Sequence, residues 1–502
     1  KHKAPLCFLE AYYSAYKTLV EKNVYDYIKK GFRSAVISGC LYNYDSYNYS
    51  DVVSRQKLLE AFQEDKFSEL QLFSGEKEEY IDWNKVCRLK GLIEGFGWKK
   101  NLEEIRKNVE TRCVKERSAD IVPKVSVIIP CYNVENYVED CLESILNQTL
   151  HEIEVICVND GSIDSTEEVL LKIAQNDSRV AVYTQKNAGQ GAARNQAVKN
   201  ATGQYLYFMD SDDLLEKEAL KELYSLSDEK GLDVLYFDGT TFYESEELEI
   251  TKPAYKGYYQ RKFDYSGVEN GISMMVEMKK NAEYRQSPCL QFIRREYFVE
   301  KELWYLPGVW HEDNSFTFKT MLMAEKVAHI PAVYFKRRVR ANSVMTSDKK
   351  FIHSYGLFYN YFNMLNTVQN AKISIEQETV IMKVIEGVLN EARKKYRMLE
   401  DEEKYKYQCL EGIEKSLFYN WIVYSKYDVD EHVKNEKILK EKIKKLVEEQ
   451  KKAKTKINKL TKGQKKAKAE LKQIKRSRSY KLAVIIRKPF IWIKNIKKKW
   501  KK

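Results

Sequence analysis

The sequence predicts an α/β protein: a mainly parallel sheet with helices on both faces, flanked by helical regions and followed by a C-terminal coiled coil. Three observations carry that reading. From Pro123 to Phe237, short apolar runs alternate with helical stretches of ten to fourteen residues, the pattern of βαβ units. The segments before and after are amphipathic at helical spacing, rich in Tyr and poor in Gly. Near the end, apolar and small residues recur at alternating steps of four and three from Leu439 to Ile474, which is a heptad seam.

Taken in order, residues 1–120 read as a helical region, clearest in Phe8–Lys30 and Ser54–Phe67, with no chemistry motif. The texture of Leu9–Asp65 resembles that of Tyr355–Leu410. Such a weak repeat would make the N-terminal stretch the tail of a preceding module, and a chain that begins at Lys1 is expected to be cut from something longer. Residues 121–346 form the α/β domain. Its predicted strands are Val125–Ile129, Glu154–Val158, Val180–Tyr183, Tyr205–Met209 and Val234–Phe237. Residues 347–430 are again helical. Residues 431–478 are the coiled coil, with Leu439, Ile443, Leu446, Ile457, Leu460, Leu471 and Ile474 in its seam. Gln450, Gln464, Ala453 and Ala467 weaken that seam, and Gly463 is its soft point. The seam points to a homo-oligomer whose number of chains stays open; the alternative is a single solvated basic helix.

A chain of 502 residues exceeds one core, so two to four domains are expected. The net charge of +13 is unevenly spread: residues 431–502 hold 28 Lys+Arg against 6 Asp+Glu, leaving the preceding residues at −9. A mildly acidic body with a strongly basic tail implies an anionic surface as the tail's partner. In residues 479–502, Ile493, Ile496 and Trp500 share one helical face among lysines, which reads as an interfacial membrane helix. Nucleic acid is the competing partner, but no recognition module is present. Nine scattered cysteines without a CxxC pair read as free thiols in a reducing compartment. No apolar run reaches the ~18 residues of a membrane span and no signal peptide is visible. The expected location is therefore cytoplasmic, attached peripherally to the inner face of the cell membrane.

The chemistry gathers at the strand ends. The first strand runs into Pro130-Cys131-Tyr132-Asn133, the second into Asn159-Asp160-Gly161-Ser162, the third toward Gly189-Gln-Gly-Ala-Ala-Arg194-Asn195, and the fourth into Asp210-Ser211-Asp212-Asp213. Each alone is ordinary turn chemistry. Four on one sheet edge make a ligand site, because ligands of such sheets lie outside the carboxyl ends of the strands. Asp210 and Asp212, two residues apart where a strand ends, project to one side and repel each other unless a cation sits between them. Mg²⁺ or Mn²⁺ with the phosphates of a substrate suits that pair.

These motifs, Val-Ser-Val-Ile-Ile-Pro-Cys-Tyr-Asn, Val-Asn-Asp-Gly-Ser-x-Asp, Gly-x-x-x-Ala-Arg-Asn and Phe-Met-Asp-Ser-Asp-Asp, resemble the inverting family-2 glycosyltransferases of bacterial surface-polysaccharide synthesis. The resemblance implies a GT-A, Rossmann-like fold, a nucleotide-sugar donor (most often a UDP-sugar) and Mn²⁺ or Mg²⁺. It places Pro130, Tyr132 and Asp160 at the nucleobase, Arg194 toward the nucleotide, Asp210 near the ribose and Asp212 on the metal, with Asp210 beside it. Asn133 and Ser211 are counted among the nucleotide contacts. Asn159 departs from the family, which has Asp there, and puts affinity or base choice in question.

His311-Glu312-Asp313-Asn314 heads a further apolar stretch. By the same resemblance a Glu-Asp pair at this place supplies the catalytic base, and the physics agrees: a positioned carboxylate can take the proton of an acceptor hydroxyl. Asp313 is read as the base and Glu312 as orienting the acceptor, although both also suit a helix N-terminus. His311 is a metal contact in some relatives. The basic strand Tyr334–Arg340 and the loop to Thr346 resemble the family's closing segment over the diphosphate. The acceptor is expected to be a glycan, lipid-linked or protein-linked. The competing class is a catalytically inactive nucleotide-sugar or glycan-binding scaffold; a nucleotidyltransferase is disfavoured, since no Gly-rich loop follows the first strand.

Overall fold

Alternation of side chains along the strands decides how the sheet is covered. In the computed structural model, Val125, Val127 and Ile129 join one buried cluster with Val155, Cys157, Tyr205 and Tyr207. Ile128, Ile156, Val158, Leu206 and Phe208 join another on the opposite face. Both faces are therefore apolar and both are covered by helices. The structure describes residues 4–423 apart from 23–24, 47–51, 63–69, 71, 74–81, 108, 119, 268, 341–349, 370, 372 and 411. The expected coiled coil and basic tail, and the loop ending at Thr346, lie outside the described residues.

The strands are β1 (Thr111–Lys115), β2 (Val125–Cys131), β3 (Ile153–Asn159), β4 (Val180–Gln185), β5 (Tyr205–Phe208), β6 (Leu214–Leu215), β7 (Val234–Tyr243), β8 (Gln291–Arg294) and β9 (Val327–Val339). Their order is β1-β4-β3-β2-β5-β8-β7-β9-β6. The centre, β4-β3-β2-β5, is parallel. Outside it the sheet is mixed: β8 runs antiparallel between β5 and β7, β9 runs parallel to β7, and β1 is an antiparallel edge on β4. β7 therefore does not continue the parallel run as its fifth strand, and β1, β6 and β8 have no counterpart among the strands expected from the sequence. Pro130 lies at the last rungs of β2, where pairing with β3 continues but pairing with β5 ends at Ile128. A residue without an N–H is tolerated there.

The helices follow the same logic. In Val138–Leu146 the buried residues are Val138, Cys141, Leu142 and Ile145, one face at i, i+3, i+4 and i+7. Ile375–Arg397 begins with a reciprocal capping box between Ser374 and Gln377, which satisfies two free amide groups. The N-terminal helices Ala4–Glu21, Tyr25–Ser46 and Val52–Ala61 close a separate core with the first half of Trp83–Lys107, around Leu9, Val36, Ile37, Leu59, Leu89 and Leu92. The second half of Trp83–Lys107 packs elsewhere. A Cβ at Gly91 or Gly95 would stand 2.6 Å from the Glu402 carbonyl oxygen and 2.5 Å from that of Lys406, so this helix lies flush against Asp401–Cys409. Trp98 packs edge-on against Phe351 and Tyr355, and Leu102 enters the main core. Cys40, Cys87, Cys113, Cys131, Cys141, Cys157, Cys289 and Cys409 are free thiols. No helix among the described residues is long and apolar enough to cross a membrane.

Candidate active site

The site is assembled from loops at the carboxyl ends of β2, β3, β4 and β5. The first two loops are zipped together. Asn133 adopts φ 51°, its amide donates to Ser162 Oγ at 3.0 Å, and its Oδ1 accepts from the Ile163 amide at 2.9 Å. The Glu135 carboxylate accepts from the Ser165 amide at 2.9 Å. Asn133 thus acts first as a clamp between loops. Tyr132 beside it is 49% exposed and free to meet a ligand.

Asp160 is buried and is held from three sides. Its Oδ1 accepts from Gln185 Nε2 at 2.7 Å and the Ala188 amide at 2.8 Å; its Oδ2 accepts from the Gly189 amide at 2.9 Å. Burial still pushes its pKa above the usual carboxylate value. The carboxylate anchors the loop ahead of helix Gln190–Lys199, with acceptor capacity left on Oδ2. Gly161, at φ 72°, lets the chain turn where a Cβ would stand 2.8 Å from the Asn187 nitrogen.

Asn159 explains its own departure. Its Nδ2 donates to the Glu167 carboxylate at 2.7 Å and to Thr184 Oγ1 at 3.3 Å, while its Oδ1 accepts from the Ser162 amide. An Asp here would set two carboxylates against each other. The Asn159→Asp variant is expected to lose about 1–3 kcal/mol of stability, and Glu167→Gln in the same chain is expected to restore most of it. Chemical denaturation of the single and double variants measures both, with the coupling read from the cycle.

Helix Gln190–Lys199 carries the central cation. Arg194 is 2% exposed. Its guanidinium donates to Asp210 Oδ1 at 2.6 Å and to Glu312 Oε1 at 3.0 Å, and it lies over the Tyr305 ring. Gln190 also donates to Asp210 Oδ1. Asn195 fixes the neighbouring segment in both directions: its Nδ2 donates to the Tyr305 carbonyl, and the Tyr305 amide donates to its Oδ1, each at 2.9 Å. Glu312 is therefore tied to Arg194, and through it to Asp210, rather than standing free toward an acceptor. Gln190, Asn195 and Tyr305 had no assigned role in the sequence reading; only the first two lie within a motif that marked them.

Asp313 opens helix Asp313–Leu322. It is half-buried and takes a hydrogen bond from Asn314 Nδ2. The Arg194 guanidinium bonds to two carboxylates, Asp210 and the buried Glu312, so their charge is incompletely balanced. Burial, with the negative charge of Asp210 added, raises Asp313 to about 6. Burial raises Glu312 to about 7, with Arg194 opposing and Asp313 adding to it. His311 adopts φ 61° and its Nε2 lies 3.0 Å from His353 Nδ1. Burial, then His353, lowers its pKa to about 4, so it is a neutral ring bonded to another helix.

The turn after β5 gathers Asp210, Asp212 and Asp213, with Ser211 buried against the Cys131 thiol. Asp212 Oδ2 accepts from Arg340 Nε at 2.6 Å, and its carbonyl accepts from Arg338. Asp213 is buried and accepts from the Arg338 amide; burial and then the charges of Asp212 and Asp210 hold its pKa well above the carboxylate range. Asp210 and Asp212, each held by an arginine, offer the carboxylate oxygens that a hard divalent cation takes. Asp210, Asp213 and the Cys289 thiol also lie within 4.8 Å of one another.

Residues 126–296 match the family model described as glycosyl transferase family 2. The matched stretch holds the parallel β4-β3-β2-β5 core and the acidic turn at its carboxyl edge. Glycosyltransferase GlyA of Streptococcus pneumoniae serotype 4 is 33% identical over 232 residues, 46% of this chain and 33% of that protein. Glycosyltransferase GlyG of the same strain is 29% identical over 230 residues, 45% of this chain and 73% of that protein. The chain thus spans only about a third of the length of GlyA. Among solved structures, S. aureus TarS 1–349 in complex with UDP-GlcNAc aligns with a TM-score of 0.45 at 22% identity, covering 57% of this chain and 79% of that one.

Proposed function

We propose that the protein transfers a sugar from a nucleoside diphosphate sugar, with uridine as the base, to a hydroxyl of a glycan or of a lipid-linked or protein-linked carrier, inverting the anomeric centre, in bacterial surface-polysaccharide or glycoconjugate synthesis. The observation that carries this reading is the bridge Asp210–Arg194–Glu312, which joins the acidic turn, inside the matched stretch 126–296, to the carboxylate pair at 312–313 beyond it.

Asp313 takes the proton of the acceptor hydroxyl as its oxygen attacks the anomeric carbon from the face opposite the diphosphate. The new glycosidic bond forms as the bond to the diphosphate breaks, through an oxocarbenium-like state. The leaving diphosphate departs toward Arg338 and Arg340, whose guanidiniums stand at Asp212. Asp212 and Asp210 would hold Mn²⁺ or Mg²⁺, which supplies positive charge to the leaving oxygens. Tyr132, at the exposed end of β2, offers a ring to the base. With the same proposal go homo-oligomerisation through residues 431–478 and attachment to the anionic inner face of the membrane through residues 479–502.

The test is nucleotide release from a panel of UDP-sugars, with Mn²⁺ and then with EDTA. Release from one donor is expected with metal alone, and Asp212→Ala is expected to lower it by about a hundredfold or more. Calorimetry with UDP separates the competing class: binding without turnover of any donor, acceptor supplied, favours the inactive scaffold, and absence of binding overturns the site.

A further inference from the structure

We infer that Arg340 is an exchangeable counter-ion for Asp212. It occupies the carboxylate that a divalent cation needs and gives it up when a diphosphate arrives, so that metal and nucleotide bind together rather than singly. This rests on the glycosyltransferase reading above and names how its donor site is filled. The argument starts from how the two aspartates of the turn are held. Asp210 pairs with Arg194. That guanidinium is buried, reaches a second carboxylate in Glu312 and lies over the Tyr305 ring. It is fixed from three sides.

Asp212 pairs with Arg340, and this pair is built differently. A single N–H, that of Nε, reaches Asp212 Oδ2 at 2.6 Å. The pair therefore lacks the parallel fork in which a guanidinium grips both oxygens of a carboxylate. Among the described residues, the remaining N–H groups of Arg340 make no hydrogen bond, and no second carboxylate pairs with it. Its face lies on the Tyr137 ring, 4.7 Å from the centroid, which steadies the group and leaves its edge open. Arg340 also stands one residue past the end of β9 at Val339. Arg338 is committed elsewhere: it donates to the main-chain carbonyl of Asp212 and pairs with Asp140. Among the described residues, Arg340 alone neutralises the Asp212 side chain.

A hard divalent cation takes carboxylate oxygens, and Asp212 is the side chain proposed for it above. A cation there would share one small carboxylate with the guanidinium, and like charges so close repel. Metal alone must therefore displace Arg340 and leave it without an acidic partner. A nucleoside diphosphate changes the balance. Its phosphate oxygens ligate the metal and offer the released guanidinium a bidentate partner. Each ligand removes a cost that the other meets when alone, and by linkage the gain is the same in either order. Arg194 does not suit this exchange, because leaving Asp210 would also strip Glu312 of its guanidinium.

The test is Mn²⁺ binding to the full chain at one pH, read from the paramagnetic resonance signal of the free ion. It is run without and with UDP, and the Mn²⁺ taken by UDP alone is subtracted. The variants are Arg340→Gln, Arg340→Lys, and Arg340→Gln combined with Asp212→Asn. The parent is expected to bind Mn²⁺ weakly alone and about tenfold or more tighter with UDP. Arg340→Gln is expected to bind Mn²⁺ alone about tenfold tighter than the parent, with the UDP effect reduced by a similar factor. Arg340→Lys keeps a cation at Asp212 and should fall nearer the parent. The double variant should lose the gain of Arg340→Gln, because the carboxylate that was freed is gone. An Arg340→Gln variant that binds Mn²⁺ alone no better than the parent, or that keeps the full UDP effect, overturns the exchange while the transferase reading stands. So does a gain that survives Asp212→Asn. A parent that takes up no Mn²⁺ even with UDP overturns the metal assignment of that reading and the exchange with it.

Discussion

The Asp313→Asn variant is expected to lose transfer by about a thousandfold while binding UDP as the parent does. The carboxylate must be unprotonated to accept the acceptor's proton. With Asp313 held up to about 6, the parent's rate should climb as pH rises from 5 to 7 and level off above. Glu312, held up to about 7 beside it, titrates with it, so the observed limb belongs to the pair. In the Asn variant the residual rate should show no such limb. A parent profile that is flat across this range, or an Asn variant that keeps its activity, removes Asp313 from the role of base.

The second large effect falls on Arg194. Its removal leaves Asp210 and Glu312 without the guanidinium that joins them, and breaking a buried pair of this kind costs about 3–5 kcal/mol. Arg194→Met should show that loss in denaturant unfolding at pH 7. Arg194→Lys should recover only part, since an ammonium lacks the fork that spans two carboxylates. The pH dependence has a definite direction. Glu312 is already raised to about 7 against an unfolded value of roughly 4.3, and losing Arg194 raises it further. A carboxylate raised in the folded state destabilises that state above its unfolded pKa and is relieved by protonation. The deficit of Arg194→Met should therefore be widest at pH 7 to 8 and narrow toward pH 5. A deficit independent of pH would mean that Arg194 acts through packing on Tyr305 rather than through charge.

The parallel centre of the sheet was legible in the sequence because Val125–Ile129, Glu154–Val158 and Val180–Tyr183 are buried on both faces and each is punctuated by turn residues. β8 was not legible: Gln291–Arg294 has four residues, follows a single 3-10 turn and carries no turn signal distinct from its surroundings. β1 reads as polar and sits at an edge, where one-sided pairing imposes no apolar pattern. The acidic turn and the pair at 312–313 were visible as motifs, yet the bond from Arg194 to both is a contact over 118 residues to Glu312 and has no local signature. Asp and Asn at strand ends serve both ligands and loops; Asp160 and Asn133 bond to the neighbouring loops, and no local pattern names those partners.

Helix Phe351–Gln369 lies beyond the segment that the motifs delimit, yet it holds up the floor under Asp313. A Cβ at Gly356 would stand 2.4 Å from the Trp310 carbonyl oxygen. Asn360 donates to that same oxygen at 3.1 Å and accepts from the Ser315 amide, and His353 meets His311. The same helix is gripped from the other side by Trp98 of Trp83–Lys107. Asp313 is thus cantilevered from a beam that Trp98, more than two hundred residues earlier in the chain, grips from the far side. A chain trimmed to 121–346 would keep the donor half of the site and let the other half sag, so hydrolysis and transfer, measured on such a fragment, should part company.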